Sequence, residues 1–197
     1  KVPRNVHAGI LAIRDSGLLR MMIPRRLGGF GCGTLTHTRT IAELAKACAG
    51  SAWAFGLLSG ITGTAASLPE EAVKILFEKG DELFCSVSAL TGTATAVAGG
   101  YCVSGERGYG SGCMHAHWAM NGVRVLDEGG ETIDTAFAII PLQNCGQVQI
   151  KNTWQVLGVK ASGSNTIVAK EVFVPSCLLL RSSQQPACED LLSQPEL

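Results

Sequence analysis

Charge is scarce in this chain, and what there is cancels: 16 basic and 16 acidic residues among 197 leave zero net charge. Without a Lys/Arg cluster to rescue it, such a chain has no long-range field to draw it to nucleic acid or an anionic membrane. Both are excluded as partners. The C-x-x-C spacing of zinc knuckles and thioredoxin-like sites is also missing. The eight cysteines (Cys32, Cys48, Cys85, Cys102, Cys113, Cys145, Cys177 and Cys188) are scattered through a chain large enough to fold on its core. Free thiols in a reducing cytoplasm are expected. The series Gly108-x-Gly110-x-Gly112 precedes a strand-like segment rather than a helix, so it lacks the helix N-terminus that a dinucleotide fingerprint needs. The five-residue nucleophile elbow is absent around Ser111, which removes a serine esterase. No initiator Met and no charged-then-apolar leader open the chain, which suggests a trimmed fragment rather than a secretory precursor. Finally, no charge occurs from Ala47 to Pro69. That stretch is nevertheless rich in Gly, Ser and Thr (Gly56, Ser59, Gly60, Thr62, Gly63, Thr64), too weak in transfer energy for a span of roughly 20 residues. A buried, closely packed helix is expected there.

What is present is apolar: 46% of the residues are hydrophobic, enough to bury one large domain or two small ones. His7 to Leu19 reads as a helix, and the proline and glycines of Ile23 to Gly31 as a loop. Ile41, Leu44, Ala45 and Cys48 recur at i, i+3, i+4 and i+7, marking a helix from Thr34 or Thr36 that Gly50 ends. A second helix runs from Ser51 to about Ser67. Ser67-Leu68-Pro69-Glu70 reads as a capping box before a helix with Val73, Leu76 and Phe77 on its apolar face, stopped at Gly80. Beyond Asp81 the period changes. Leu83 to Ser88, Gly100 to Ser104, His117 to Val125, Thr132 to Ile140 and Thr166 to Val174 alternate or are rich in β-branched residues, with turn signals between them. The chain is therefore α+β: a helical domain over 1–80, an antiparallel β-barrel domain over 81–181, and a polar tail or linker over 182–197.

The densest local signal is Gly99 to Cys113 followed by His115-Ala116-His117-Trp118. A turn is expected at Ser104-Gly105, with two antiparallel strands meeting around Tyr109 and Ser111, where small residues let backbone approach a planar ligand. Tyr109 is then either a core aromatic or the wall of a slot, and Ser111 either a turn residue or a hydrogen-bonding group. Cys113, His115 and His117 alternate, so on one strand they share a face, yet no fourth ligand has a position and no metal is expected. His7 and His37 read as surface residues. Trp53 and Phe55, beside Gly56 and Gly60, read as core packing.

Several motifs together resemble the acyl-CoA dehydrogenase superfamily. Ser16-Gly17-Leu18-Leu19 with Ile23-Pro24 and Leu27-Gly28-Gly29 looks like that family's entry loop, and Glu43-Leu44-Ala45 with Gly50-Ser51-Ala52-Trp53 like the helix pair after it. Arg107-Gly108-Tyr109-Gly110-Ser111 is similar to its basic-x-aromatic-x-Ser/Thr motif. Ser111-Gly112-Cys113, Thr153-Trp154-x-x-x-Gly158, Gly163-Ser164-Asn165 and Val172-Phe173-Val174-Pro175 resemble its reduced-flavin-dependent aromatic monooxygenases. Cys85 to Gly92 departs from the Thr-Glu-Pro turn of the dehydrogenases proper. The resemblance implies reduced FMN or FAD held by Ser86, Ser88, Tyr109, Ser111, Gly112 and Trp154, with Ser111 as the catalytic hydroxyl. It implies a small aromatic substrate, phenolic or polycyclic, a separate flavin reductase, and a homo-oligomer when complete. It implies too that a C-terminal four-helix bundle, with no counterpart in this sequence, completes the flavin site. An acyl-CoA dehydrogenase, or a non-catalytic remnant used for binding or assembly, is the alternative.

Overall fold

The computed structural model describes residues 4–184, with side chains from residue 8 onward. The side chain of His7, Cys188 and the tail beyond Gln184 lie outside the described residues. Four helices come first: α1 (Arg4–Asp15), α2 (Thr34–Ala47), α3 (Ala49–Ala65) and α4 (Glu70–Leu76). Seven strands follow: β1 (Phe84–Val97), β2 (Gly100–Gly110), β3 (Trp118–Leu126), β4 (Thr132–Pro141), β5 (Val148–Lys151), β6 (Asn165–Pro175) and β7 (Leu179–Arg181). They form one sheet in the order β5-β6-β2-β1-β3-β4-β7, antiparallel except for the parallel pair β1/β3. The α+β reading holds, with that one parallel pair as an unforeseen element.

The uncharged helix α3 is central, as its composition implied. Ala54, Phe55 and Leu58 are fully buried, and Ser59 and Thr62 neutralise their own hydroxyls by donating to the carbonyls of Phe55 and Leu58, one turn back. Small residues set how closely its neighbours come. A Cβ on Gly56 would lie 2.9 Å from the Ile41 side chain of α2, and one on Gly50 would lie 2.7 Å from Ala161 Cβ. The helix is therefore pressed both against α2 and against the loop that precedes β6.

Five expectations fail, each for a physical reason. Gly50 does not end α2; the break falls at Cys48, extended at φ −156°, and Gly50 lies inside α3. Ser67 does not cap α4, because its hydroxyl donates to Gly63 O at 3.1 Å, and Pro69 takes the cap position with no side-chain bond. Ser104-Gly105 is not a reversal. Gly105, at φ +145°, marks a slip in register within a continuous β2, between Val103 and Gly105 opposite β6. Nor do Cys113, His115 and His117 share a strand. The chain must cross from β2 to β3 past β1, about 10 Å at ordinary strand spacing, and residues 111–115 do so as consecutive turns. The crossing is fastened to the start of β1: His117 N and Trp118 N donate to Leu83 O, and Leu83 N donates to His117 Nδ1 at 3.0 Å. The metal face that alternation would have built does not form. His37, expected at the surface, is buried against α3, its Nε2 2.6 Å from Ser59 Oγ.

Candidate functional site

The crossing segment, α3 and the loop before β6 meet at one end of the sheet. There the β2/β6 register slips again between Arg107 and Gly110, and Tyr109 bulges out at φ +63°. The ring is 76% exposed and meets Trp154 edge-on, with centroids 5.8 Å apart and planes at 77°. Asn165, itself buried, seats Trp154: its Oδ1 accepts the backbone N–H of Thr153 at 3.0 Å and of Trp154 at 3.1 Å. The indole N–H of Trp154 reaches Val159 O at 3.3 Å, and Val159 is itself held at φ +54°. A left-handed conformation costs a non-glycine residue about 1–2 kcal/mol. An edge-to-face pair contributes only about 0.5–1.5 kcal/mol. The aromatic contact alone does not sustain two such residues, so the surrounding hydrogen-bonded loops impose them. Two of the four left-handed non-glycine residues of the described chain thus stand on the wall of one cavity, the kind of clustering found at functional sites.

That cavity has a volume of about 450 Å³ and is lined by Trp53, Leu57, Tyr109, Ser111, Trp154, Val156, Gly158, Val159, Ser162 and Ser164. A smaller recess of about 320 Å³ is also lined by Tyr109 and Trp154, together with Thr153 and Thr166. The larger lining holds three aromatic rings, aliphatic groups and three serines, with no carboxylate, imidazole, thiol or cationic side chain. The nearby thiols are inert: burial pushes Cys113 up to about 11 and Cys85 well above its ordinary value. The polar content is one connected cluster. Trp53 Nε1 donates to Ser111 Oγ at 3.1 Å, Ser111 Oγ lies 2.7 Å from Ser164 Oγ, and Ser164 Oγ lies 2.7 Å from Ser162 Oγ. Such a site can hold a planar aromatic ring against an apolar wall and offer hydrogen bonds to its edge. It cannot by itself transfer a proton through a titrating carboxylate or imidazole.

Tyr109, Ser111 and Trp154 are thus brought together, as the resemblance implied. Gly112 lies just behind them at φ +74°. Its N–H donates to Ser162 O at 2.9 Å, and its α-carbon faces Leu58 of α3. Ser86 and Ser88 line neither of the two cavities beside Tyr109. The Ser86 hydroxyl donates to Met120 O at 2.9 Å within the sheet, and Ser88 is exposed where β1 bulges away from β3. Trp53, expected in the core, instead stands 56% exposed over the cavity, while Phe55 takes the core position. Residues 53 and 57 share one helical face and 54, 55 and 58 the other, but α3 is apolar all round and gives no polar face to tell them apart. Ser162 carried no signal of its own, and Ser164 and Asn165 were visible only through the family motif.

Known proteins share this fold. Residues 1–74 match the family model "Acyl-CoA dehydrogenase, N-terminal domain". The chain is 34% identical over 167 residues, 84% of its length, to the FADH(2)-dependent resorcinol hydroxylase oxygenase component of Rhizobium sp. (strain MTP-10005), of which it covers 40%. Among solved structures it superposes with a TM-score of 0.84 and 27% identity on XiaF from Streptomyces sp. in complex with FADH2 and glycerol, covering 89% of this chain and 44% of that one. The 3-HSA hydroxylase from Rhodococcus sp. RHA1 gives a TM-score of 0.82 at 27% identity, over 92% and 45%. The chain spans less than half the length of each of these relatives. With both its helices and its sheet matched in this way, the chain is similar to the acyl-CoA dehydrogenase superfamily, and its similar relatives include oxygenase components of flavin-dependent monooxygenases.

Proposed function

We propose that this chain is the helical and β-sheet part of an oxygenase component that uses reduced FMN or FAD to hydroxylate a phenolic or polycyclic aromatic substrate. The observation that carries the reading is the cavity bounded by Trp53, Tyr109 and Trp154 with the Ser111–Ser164–Ser162 cluster in its wall. Its size and its aromatic and hydroxyl lining fit a planar heteroaromatic ring with acceptor atoms along its edge. Bound there, the flavin supplies the two electrons that activate dioxygen. Tyr109 and Trp154 orient the ring and keep water from one side of it, and Ser111 presents its hydroxyl as the catalytic hydrogen-bonding group. Gly112 contributes by letting the crossing segment lie close against α3. Ser86 and Ser88, if they touch the flavin, do so from outside this cavity. The lining has nothing to grip a phosphate, so that contact belongs to residues elsewhere.

A separate reductase supplies the reduced flavin, as the two-component relatives' description as oxygenase components suggests. No helix among the described residues is long and apolar enough to cross a membrane, which fits a cytoplasmic enzyme, and the whole protein is expected to be a homo-oligomer. The test is the polypeptide in its full natural extent, supplied with chemically reduced FMN or FAD, dioxygen and resorcinol. For each hydroxyl group inserted, one reduced flavin is oxidised, one dioxygen is consumed and one water is formed. Hydroxylated product in that ratio is expected. Reduction of bound flavin by an acyl-CoA thioester, without oxygen insertion, would assign dehydrogenase chemistry instead.

A further inference from the structure

The serine cluster can be counted hydrogen by hydrogen. The Trp53 indole and the hydroxyls of Ser111, Ser164 and Ser162 carry one hydrogen each, four in all. Three hydrogen bonds join them: Trp53 to Ser111, Ser111 with Ser164, and Ser164 with Ser162. One hydrogen is therefore left over, and whichever serine carries it, that serine lines the cavity. The indole N–H can only donate. Its bond permanently occupies one lone pair of Ser111 Oγ and leaves that oxygen a single remaining choice. When Ser162 donates to Ser164 and Ser164 to Ser111, both acceptor positions of Ser111 are filled and its own hydrogen points away from the cluster, free for a ligand. The cluster thus has a surplus donor, and what it recognises is an acceptor atom, such as a ring carbonyl, a ring nitrogen with a lone pair, or a phenolate.

We propose that Trp53 is a positioning residue for this site: its indole N–H, delivered by α3 across 58 residues of sequence, holds Ser111 so that the serine cluster donates its spare hydrogen to an acceptor on the bound aromatic ring. The approach of α3 that makes this possible depends on Gly50 against Ala161 and on Gly112 against Leu58, two contacts that leave no room for a Cβ. The proposal rests on the reading of the cavity as a flavin or aromatic site, and its test separates the two.

The probe is oxidised riboflavin, whose ring edge presents acceptor atoms and which carries no phosphate for the uncharged lining to miss. Binding is followed by quenching of tryptophan emission, and the Trp53 indole by its ¹⁵N–¹H resonance. The Trp53 resonance is expected to differ between the unaltered chain and Ser111→Ala, because in the variant its acceptor has gone. Trp53→Phe, which keeps a ring but removes the N–H, should weaken riboflavin binding about five- to tenfold, the size of one lost hydrogen bond. Ser111→Ala should weaken it similarly. The double variant should be no worse than either alone, since both changes break one unit. A merely structural tryptophan predicts unchanged binding in Trp53→Phe, or losses that multiply in the double variant, and either result overturns the proposal while leaving the cavity's assignment in place. If the unaltered chain fails to bind riboflavin at millimolar concentration although the Trp53 resonance responds to Ser111→Ala, the cavity's assignment falls and takes this proposal with it.

Discussion

Asn165 shows how a single buried residue arranges the site without touching a ligand. Its side-chain oxygen accepts two backbone N–H groups of the 153–154 segment, and an unpaired buried donor costs about 1–3 kcal/mol. Asn165→Ala is therefore expected to lower stability by about 2 kcal/mol, measured by urea unfolding. It should also shift the emission of Trp154, whose seat it removes, with Trp53→Phe as background. Gly112 is the second such residue. A side chain there would be strained at φ +74° and would bring a Cβ to 2.9 Å from Leu58 Cγ. Gly112→Ala is expected to cost about 1–3 kcal/mol and to move Ser111 with it. At neither position does the residue type alone announce the role. Asn165 is legible only as the end of the Gly163-Ser164-Asn165 motif and Gly112 only as one of 24 glycines; the seat of Trp154 explains the first and the crossing of the chain past β1 the second. Ser111 likewise is not the exposed hydroxyl its turn-like surroundings suggest. It is 6% exposed and doubly partnered, so Ser111→Ala disturbs Trp53 and Ser164 as well as any ligand.

Between elements, the contacts of two histidines respond to pH in one direction. Burial lowers the His37 imidazole below its ordinary value, and burial does the same at His117, where Asp81 and Glu82 oppose the effect only in part. His117 also accepts the Leu83 N–H at Nδ1, which only a neutral imidazole can do. A histidine whose native pKa is depressed stabilises the fold fully above its unfolded pKa, about 6.5, and loses that contribution as pH falls toward the native value. The chain is therefore expected to lose thermal stability between pH 7 and pH 5. His37→Gln should flatten part of that slope by removing the titrating group between α2 and α3, while the His117 share remains. An equal slope in both proteins would place the acid sensitivity elsewhere. The helices themselves were readable because apolar period and breakers act locally, although the packed face of α2 proved to be His37, Ile41 and Leu44, with Ala45 and Cys48 exposed. The strands were readable where β-branched residues alternate. β1 was seen only over its first residues, since 91–96 are Thr, Gly and Ala alone, and the short β5 and β7 pair only because the sheet is already there.

At the scale of the whole molecule, the site is a wall without an opposite wall. Tyr109 is 76% exposed, Trp53 56%, and Leu157, next to the cavity lining, fully so. Apolar surface of this kind beside a cavity favours a covering partner. The relatives it matches are more than twice as long, and a ring bound to this chain alone would stay in contact with water along one face, where stacking and hydrogen bonding are worth least. The cavity also lacks any cationic side chain, so a flavin phosphate would lie against neutral groups or solvent. Two consequences can be separated by one titration. The 197-residue chain is expected to bind riboflavin, FMN and FAD weakly, at around millimolar Kd, and within about threefold of one another, because only the shared ring system meets the protein. A polypeptide extended to the length of its relatives should bind tighter by at least about tenfold and should distinguish the nucleotides from riboflavin, since a phosphate grip adds charge-assisted hydrogen bonds of about 1.5–3 kcal/mol each. Tight binding by the short chain, or a clear preference of that chain for the phosphorylated forms, would mean that the flavin lies elsewhere on this fold, against residues that carry charge.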